Sequence, residues 1–136
     1  MRHRNTGPSL LLALGVLLLA LCAGCGKGYR HISHEEAARI MNSGQDCLVV
    51  DVRTQEEYEK KHIPGAVLVP IEDIREKKLE ALPDKNRTLL LYCWTGRRAE
   101  DSAKLLSEYG YRNVLEFGGL ADWTGKTESG NTSGES

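Results

Sequence analysis

The side chains best able to do covalent chemistry lie together in Cys93-Trp94-Thr95-Gly96-Arg97-Arg98. Cys93 follows the apolar run Thr88-Leu89-Leu90-Leu91-Tyr92 and precedes a stretch with apolar positions at Ala99, Ala103, Leu105 and Leu106, a pattern that predicts strand, loop and helix. In parallel α/β sheets ligands bind in the loops at the carboxyl ends of the strands, so this thiol falls where reaction sites are built. If residues 94–98 curl around the sulfur, their backbone N–H groups converge on it as an anion-binding nest with a helix dipole behind. Such a setting favours the thiolate, the nucleophilic form. Arg97 and Arg98 fall at the start of that helix, where a cation is disfavoured by roughly 0.3–1 kcal/mol. Two arginines so placed are either solvated loop charges or the ligands of an anion held between them and the backbone donors.

Other reactive residues fit less directly. Asp51 and Arg53 stand at the end of a second apolar run, Leu48-Val49-Val50-Asp51-Val52, and read either as site residues or as a strand-end salt bridge or cap. His62 belongs to a turn, His62-Ile63-Pro64-Gly65, and is assigned to satisfying backbone groups there rather than to general-base work. Trp94 either forms an aromatic rim that shapes access to Cys93 or packs across the loop. No Cys or His pair has metal-ligand spacing, so neither a metal nor another cofactor is expected. Cys47 precedes its strand whereas Cys93 follows its own. In a parallel sheet that separation, at roughly 3.3 Å per residue, exceeds the roughly 7 Å limit on Cα distance for a disulfide, and Cys47 reads as a small buried hydrophobe.

The elements that must position these residues alternate short apolar runs with amphipathic stretches, the pattern of a parallel sheet covered by helices. Strands are predicted at residues 30–32, 48–52, 66–69, 88–92 and 114–117. Ser33 with Glu36, and Thr54 with Glu57, are spaced as capping boxes opening helices; further helices are predicted over 71–82, stopped by Pro83, over 99–108, ended at Gly110, and in a short piece over 120–123. The chain of 136 residues, 40% hydrophobic and 27% charged, accommodates one such domain over residues 29–124. Its formal net charge of −1 and lack of a basic patch argue against a nucleic-acid partner.

The N-terminus has a different character. Arg2 and Arg4 precede an apolar run from Leu10 to Leu21 that closes on small residues, a secretory signal layout and shorter than the roughly 20 residues of a spanning helix. Leu21-Cys22-Ala23-Gly24-Cys25 resembles a bacterial lipobox, with Cys22 where an aliphatic residue is usual. The resemblance implies a lipoprotein signal peptide over 1–24, lipid on Cys25, a linker over 25–28, and a protein tethered to the outer face of the bacterial cytoplasmic membrane. From Gly125 onward Ser, Thr, Gly, Asn and Glu dominate without apolar periodicity, which predicts a disordered tail over 125–136.

Cys-x-x-Gly-x-Arg after a Leu-Leu-Leu-Tyr strand resembles the active loop of single-domain rhodaneses. Val50-Asp51-Val52-Arg53, His62-Ile63-Pro64-Gly65-Ala66 and Phe117-Gly118-Gly119 through Trp123 resemble three further family motifs in the family's order. The resemblance implies a three-layer α/β fold, with a five-stranded parallel sheet in order 1-5-4-2-3 and helices on both faces. It also implies thiosulfate sulfurtransferase activity: Cys93 takes the outer sulfur of thiosulfate as a persulfide and passes it to cyanide or a thiol. Trp94, Thr95, Gly96, Arg97 and Arg98 then form the substrate loop, with Gly96 supplying the permissive backbone and Arg98, with Arg97, binding the sulfonate. Asp51 and Arg53 support that loop by hydrogen bonding. The alternative within this resemblance is a membrane-tethered persulfide relay or sulfur sensor without thiosulfate turnover. Tyrosine-type phosphatases need Cys-x₅-Arg around phosphate, but Cys93 to Arg98 is Cys-x₄-Arg, and Ala99 stands at the position of the longer loop's arginine.

Overall fold

The computed structural model describes residues 28–131; the segment expected to be a signal peptide, Cys25 and residues 132–136 lie outside them. Five strands, β1 (Tyr29–His31), β2 (Cys47–Asp51), β3 (Val67–Leu68), β4 (Thr88–Cys93) and β5 (Asn113–Gly119), alternate with helices α1 (His34–Asn42), α2 (Gln55–Lys60), α3 (Ile71–Arg75) and α4 (Arg97–Glu108). A short 3₁₀ turn, Leu120–Asp122, follows β5. All strand pairs are parallel and the order is β1-β5-β4-β2-β3, as the resemblance implied.

Alternation along the strands divides the core into two layers. Leu89, Leu91 and Cys93 of β4 face Ile74 of α3 and Ala99, Ala103 and Leu106 of α4. Leu90 and Tyr92 face the other way, toward Ala37 of α1, Tyr58 of α2, Phe117 and Leu120. The central strand is therefore apolar on both sides, and its carboxyl end delivers Cys93 to the α4 layer.

Local signals set the helix starts. Thr54 accepts from the Glu57 N–H while the Glu57 carboxylate accepts from the Thr54 N–H at 3.1 Å, a full reciprocal cap. At α1, Ser33 accepts from the Glu36 N–H, but the Glu36 carboxylate pairs with Arg30.

Two expectations need correction. The helix predicted over 71–82 stops at Arg75, because Glu76 leaves the helical ladder and Lys77 enters the left-handed region at φ 57°. The expected disorder from Gly125 does not extend to the residues up to Asn131. Glu128 and His62 exchange backbone hydrogen bonds of 2.8 Å in both directions, and the Gly130 N–H donates to the Glu59 carbonyl at 2.8 Å. Backbone pairing of this kind needs no apolar side chains, so composition concealed it. Among the described residues no helix is long and apolar enough to cross a membrane.

Candidate active site

The loop between β4 and α4 is shaped by glycines. Gly96 caps α4 in the left-handed region at φ 105°, which a side chain rarely adopts. That turn aims its N–H at Cys93 Sγ, 3.0 Å away. The nest expected from residues 94–98 is thus realised by one backbone donor at the sulfur, with the start of the 12-residue α4 behind it. Cys93 is 1% exposed, whereas Trp94 is 42% exposed and Thr95 is also at the surface. Trp94 is thus a surface residue of the loop next to the buried thiol.

The loop's other wall is β5. Between β4 and β5 the register slips: Leu91 faces Glu116, but Cys93 faces Gly119. This bulge, with Gly118 at φ 86°, adds one residue to β5 and brings Gly119 alongside the active loop. A β-carbon on Gly119 would run into the Trp94 carbonyl and come within 2.7 Å of the Thr95 nitrogen. The Ala121 N–H holds the same Trp94 carbonyl at 3.0 Å. Beneath the bulge, the buried Glu116 carboxylate accepts from the Gly118 N–H at 3.1 Å and pairs with His31 at 2.6 Å.

Arg98 does not lie open to substrate as expected. Its two terminal nitrogens donate to the two Glu57 carboxylate oxygens at 2.7 and 2.9 Å, a bidentate pair joining the first turn of α4 to α2 on the opposite face of the sheet. The pairing holds Glu57 far below the usual carboxylate range, at about 2, with the Arg98 hydrogen bonds as the largest cause. Arg97, by contrast, is exposed and has no ionic partner among the described residues. It borders a groove of about 550 Å³ that Tyr29, Glu100, Asp101 and Lys104 also line.

Asp51 and Arg53 are both buried and paired to each other, with Arg53 Nη2 to Asp51 Oδ2 at 2.7 Å and the Arg53 N–H to Asp51 Oδ1 at 2.9 Å. The remaining Arg53 bond goes to the Lys61 carbonyl at 2.6 Å, at the end of α2. No hydrogen bond runs from either residue to residues 94–98, so the pair supports α2 and not the loop directly. Its influence reaches the site through Glu57, and through Val52, whose N–H donates to the Tyr92 carbonyl at 3.1 Å. The Tyr92 hydroxyl accepts from the Ile63 N–H, and burial first, then the Asp51 charge, pushes its titration up.

His62 is fully buried, stacked on Tyr58 at 3.8 Å, with Nδ1 on the Tyr58 carbonyl at 2.7 Å, the structural role read from its turn. Cys47 and Cys93 are both free thiols. No group of metal-ligating side chains is present among the described residues.

Glu57, Glu116 and Gly119 were missed as parts of the site. Glu57 was fully explained by its cap, so nothing flagged a second partner. Glu116 carried a signal in being a carboxylate within the apolar strand Val114-Leu115-Glu116-Phe117. Gly119 was visible only as half of a Gly-Gly pair.

Comparison with known proteins places this geometry. A family model described as "Rhodanese-like domain" matches residues 33–126. Thiosulfate sulfurtransferase PspE of Escherichia coli K12 is 41% identical over 73 residues, covering 54% of this chain and 70% of that protein. Thiosulfate sulfurtransferase GlpE of Coxiella burnetii is 33% identical over 96 residues, covering 70% and 87%. The putative sulfur carrier protein YrkF of Bacillus subtilis is 39% identical over 98 residues, 71% of this chain but only 52% of that protein. Among solved structures, a rhodanese with anions from E. coli has a TM-score of 0.57 at 37% identity, covering 62% of this chain and 99% of that one. The Alr3790 protein from Anabaena has a TM-score of 0.66 at 28% identity, covering 74% and 81%.

Proposed function

The chain belongs to the rhodanese-like domain family of sulfurtransferases, and on that premise we propose that it moves the outer sulfur of thiosulfate to cyanide or a thiol through a persulfide on Cys93. The observation that carries this reading is the Gly96 N–H at 3.0 Å from Cys93 Sγ, at the head of α4. A donor and a positive helix end aimed at one sulfur stabilise negative charge there, on the thiolate before transfer and on the persulfide after it.

The two half-reactions balance without a redox partner. The Cys93 thiolate attacks the outer sulfur of thiosulfate, a new S–S bond forms, and the old one breaks with its electron pair leaving on sulfite. Cyanide or a thiolate then attacks the terminal sulfur, and Cys93 leaves as thiolate. Gly119 and Ala121 hold the Trp94 backbone in place throughout, while Trp94 itself stays at the surface of the loop.

The same reading extends to location. Signal cleavage before Cys25 and lipid on that residue would anchor the domain at the outer face of the cytoplasmic membrane; acyl chains contribute about 0.8 kcal/mol per buried CH₂. β1 begins at Tyr29, shortly after Cys25, and its amino end lies at the sheet edge opposite the Cys93 loop. An anchor there leaves the active loop facing away from the membrane, toward soluble donors and acceptors.

Purified protein is expected to form sulfite and thiocyanate from thiosulfate and cyanide, with Cys93→Ser inactive. Wild type with no turnover would remove the thiosulfate assignment. For the anchor, mass analysis of the native N-terminal peptide is expected to show diacylglycerol on Cys25, and an unmodified Met1 or Cys25 would contradict it.

A further inference from the structure

The arginines at the carboxyl edge of β2 and β4 are not equivalent. Arg53 is buried and spends its fork on Asp51 and the Lys61 carbonyl. Arg98 spends both terminal nitrogens on Glu57. Arg97 is exposed and carries its charge without an ionic partner among the described residues.

Bidentate pairing has a chemical consequence for Arg98. The Glu57 carboxylate takes the end-on edge of the guanidinium, formed by its two terminal nitrogens, which leaves only the side edge through Nε, next to that same carboxylate. An incoming sulfonate would have to displace Glu57 or approach with a like charge beside it, and like charges at that range repel. Nor is Glu57 easily displaced. Thr54 accepts from its N–H and donates to its carboxylate at 3.1 Å, its neighbour Tyr58 is fully buried, and Arg53 ties down the Lys61 carbonyl at the end of the same helix.

Arg98 is also only two residues from Gly96, whose N–H meets the sulfur. A fixed Arg98 side chain therefore fixes the turn that aims this donor, which links Glu57 to the sulfur through Arg98, α4 and Gly96.

Resting on the sulfurtransferase reading, we infer that Glu57 is a positioning residue whose grip on Arg98 closes the active loop, and that Arg97, not Arg98, receives the anionic end of the sulfur donor. Arg97 has the freedom this requires. It is the first residue of α4, solvent-exposed, on a long side chain, and adjacent to the glycine that touches the sulfur. The arrangement separates two tasks: one arginine holds the loop in shape, and its neighbour collects the substrate.

Steady-state thiosulfate:cyanide kinetics on the full chain separate them. Arg97→Ala is expected to raise the thiosulfate KM about tenfold, the loss of one charge-assisted contact, with kcat within a few-fold of wild type and Arg97→Lys restoring most of the KM. Glu57→Gln is expected to lower kcat about tenfold through the misaimed Gly96 donor, with KM unchanged or lower because Arg98 is released. An Arg97→Ala KM within twofold of wild type overturns the assignment, as does a Glu57→Gln variant that raises KM at unchanged kcat. Direct titration of thiosulfate into Cys93→Ser protein, with and without Arg97→Ala, gives a second readout that needs no turnover and holds even if Glu57→Gln fails to fold. About tenfold weaker binding supports Arg97 as the anion receiver, and equal binding overturns it. Wild type that never forms a persulfide overturns the sulfurtransferase reading itself, whereas active wild type with an Arg97→Ala variant that binds thiosulfate equally well overturns only this division of labour.

Discussion

Adding one methyl group at Gly119 tests how the active loop is held. The backbone of Gly119 is extended, at φ −153° and ψ 168°, so alanine meets no conformational penalty there and its effect is purely steric. The added β-carbon collides with the Trp94 carbonyl and lies 2.7 Å from the Thr95 nitrogen. Non-bonded heavy atoms settle near 3.5 Å, so the loop must retreat by about 1 Å or more. The obstacle is backbone held by the Ala121 hydrogen bond rather than the far end of a flexible side chain. The cost therefore falls toward the upper end of overpacking penalties, about 3 kcal/mol. At roughly 4–8 °C per kcal/mol for a domain of this size, the midpoint of thermal unfolding falls by roughly 12–24 °C. A 1 Å error at a reacting group can cost on the order of 10²-fold in rate, so thiocyanate formation at a temperature where the variant remains folded falls by about that factor. Gly118→Ala is the control. Its φ of 86° imposes left-handed strain of roughly 1–2 kcal/mol, but its β-carbon meets only His34 Nε2 at 3.7 Å, an ordinary contact. Gly118→Ala should thus lose stability while keeping most activity. A Gly119→Ala protein with unchanged melting and activity, or one less affected in activity than Gly118→Ala, would refute the claim that Gly119 sets the loop's position.

Two further outcomes follow from the buried and half-buried charges. Asp51→Ala leaves Arg53, 3% exposed, without its carboxylate, and should destabilise the domain by about 3–5 kcal/mol in urea unfolding; a loss below about 1 kcal/mol would mean the pair is not the brace of α2. Glu57 has its folded-state titration lowered from 4.5 to about 2, so its contribution is fully present above about pH 4.5 and is lost as pH falls toward 2. For a pair one-third exposed on each side, that contribution is discounted to roughly 1–2 kcal/mol, and Glu57→Gln should flatten the acid limb of a stability-versus-pH curve by this amount.

Much of the architecture was legible from residue patterns because the strands of a doubly covered sheet are continuous apolar runs. Leu48-Val49-Val50 and Leu89-Leu90-Leu91 announce buried strands, and Thr54 with Glu57 announces a helix start. The strand order was legible only through the resemblance, since periodicity says nothing about which strands are neighbours. Cys93, Gly96 and the exposed Trp94 could be placed from one short loop. What escaped were partnerships between residues far apart in the chain. Glu57 and Arg98 each had a sufficient local explanation, a cap and an anion ligand, and only the fold brings them within 2.7 Å. The pairing of His62 with Glu128 was hidden for the same reason, and because backbone hydrogen bonds leave no trace in composition.

The central claim is that Cys93 is the sulfur-carrying nucleophile. Mass spectrometry of the intact protein after brief exposure to thiosulfate tests it most directly. The account predicts a species one sulfur atom heavier, located on the peptide containing Cys93, discharged by cyanide and absent from Cys93→Ser. Added sulfur on Cys47 instead, or a Cys93 peptide that stays unmodified while wild type produces thiocyanate, would contradict it.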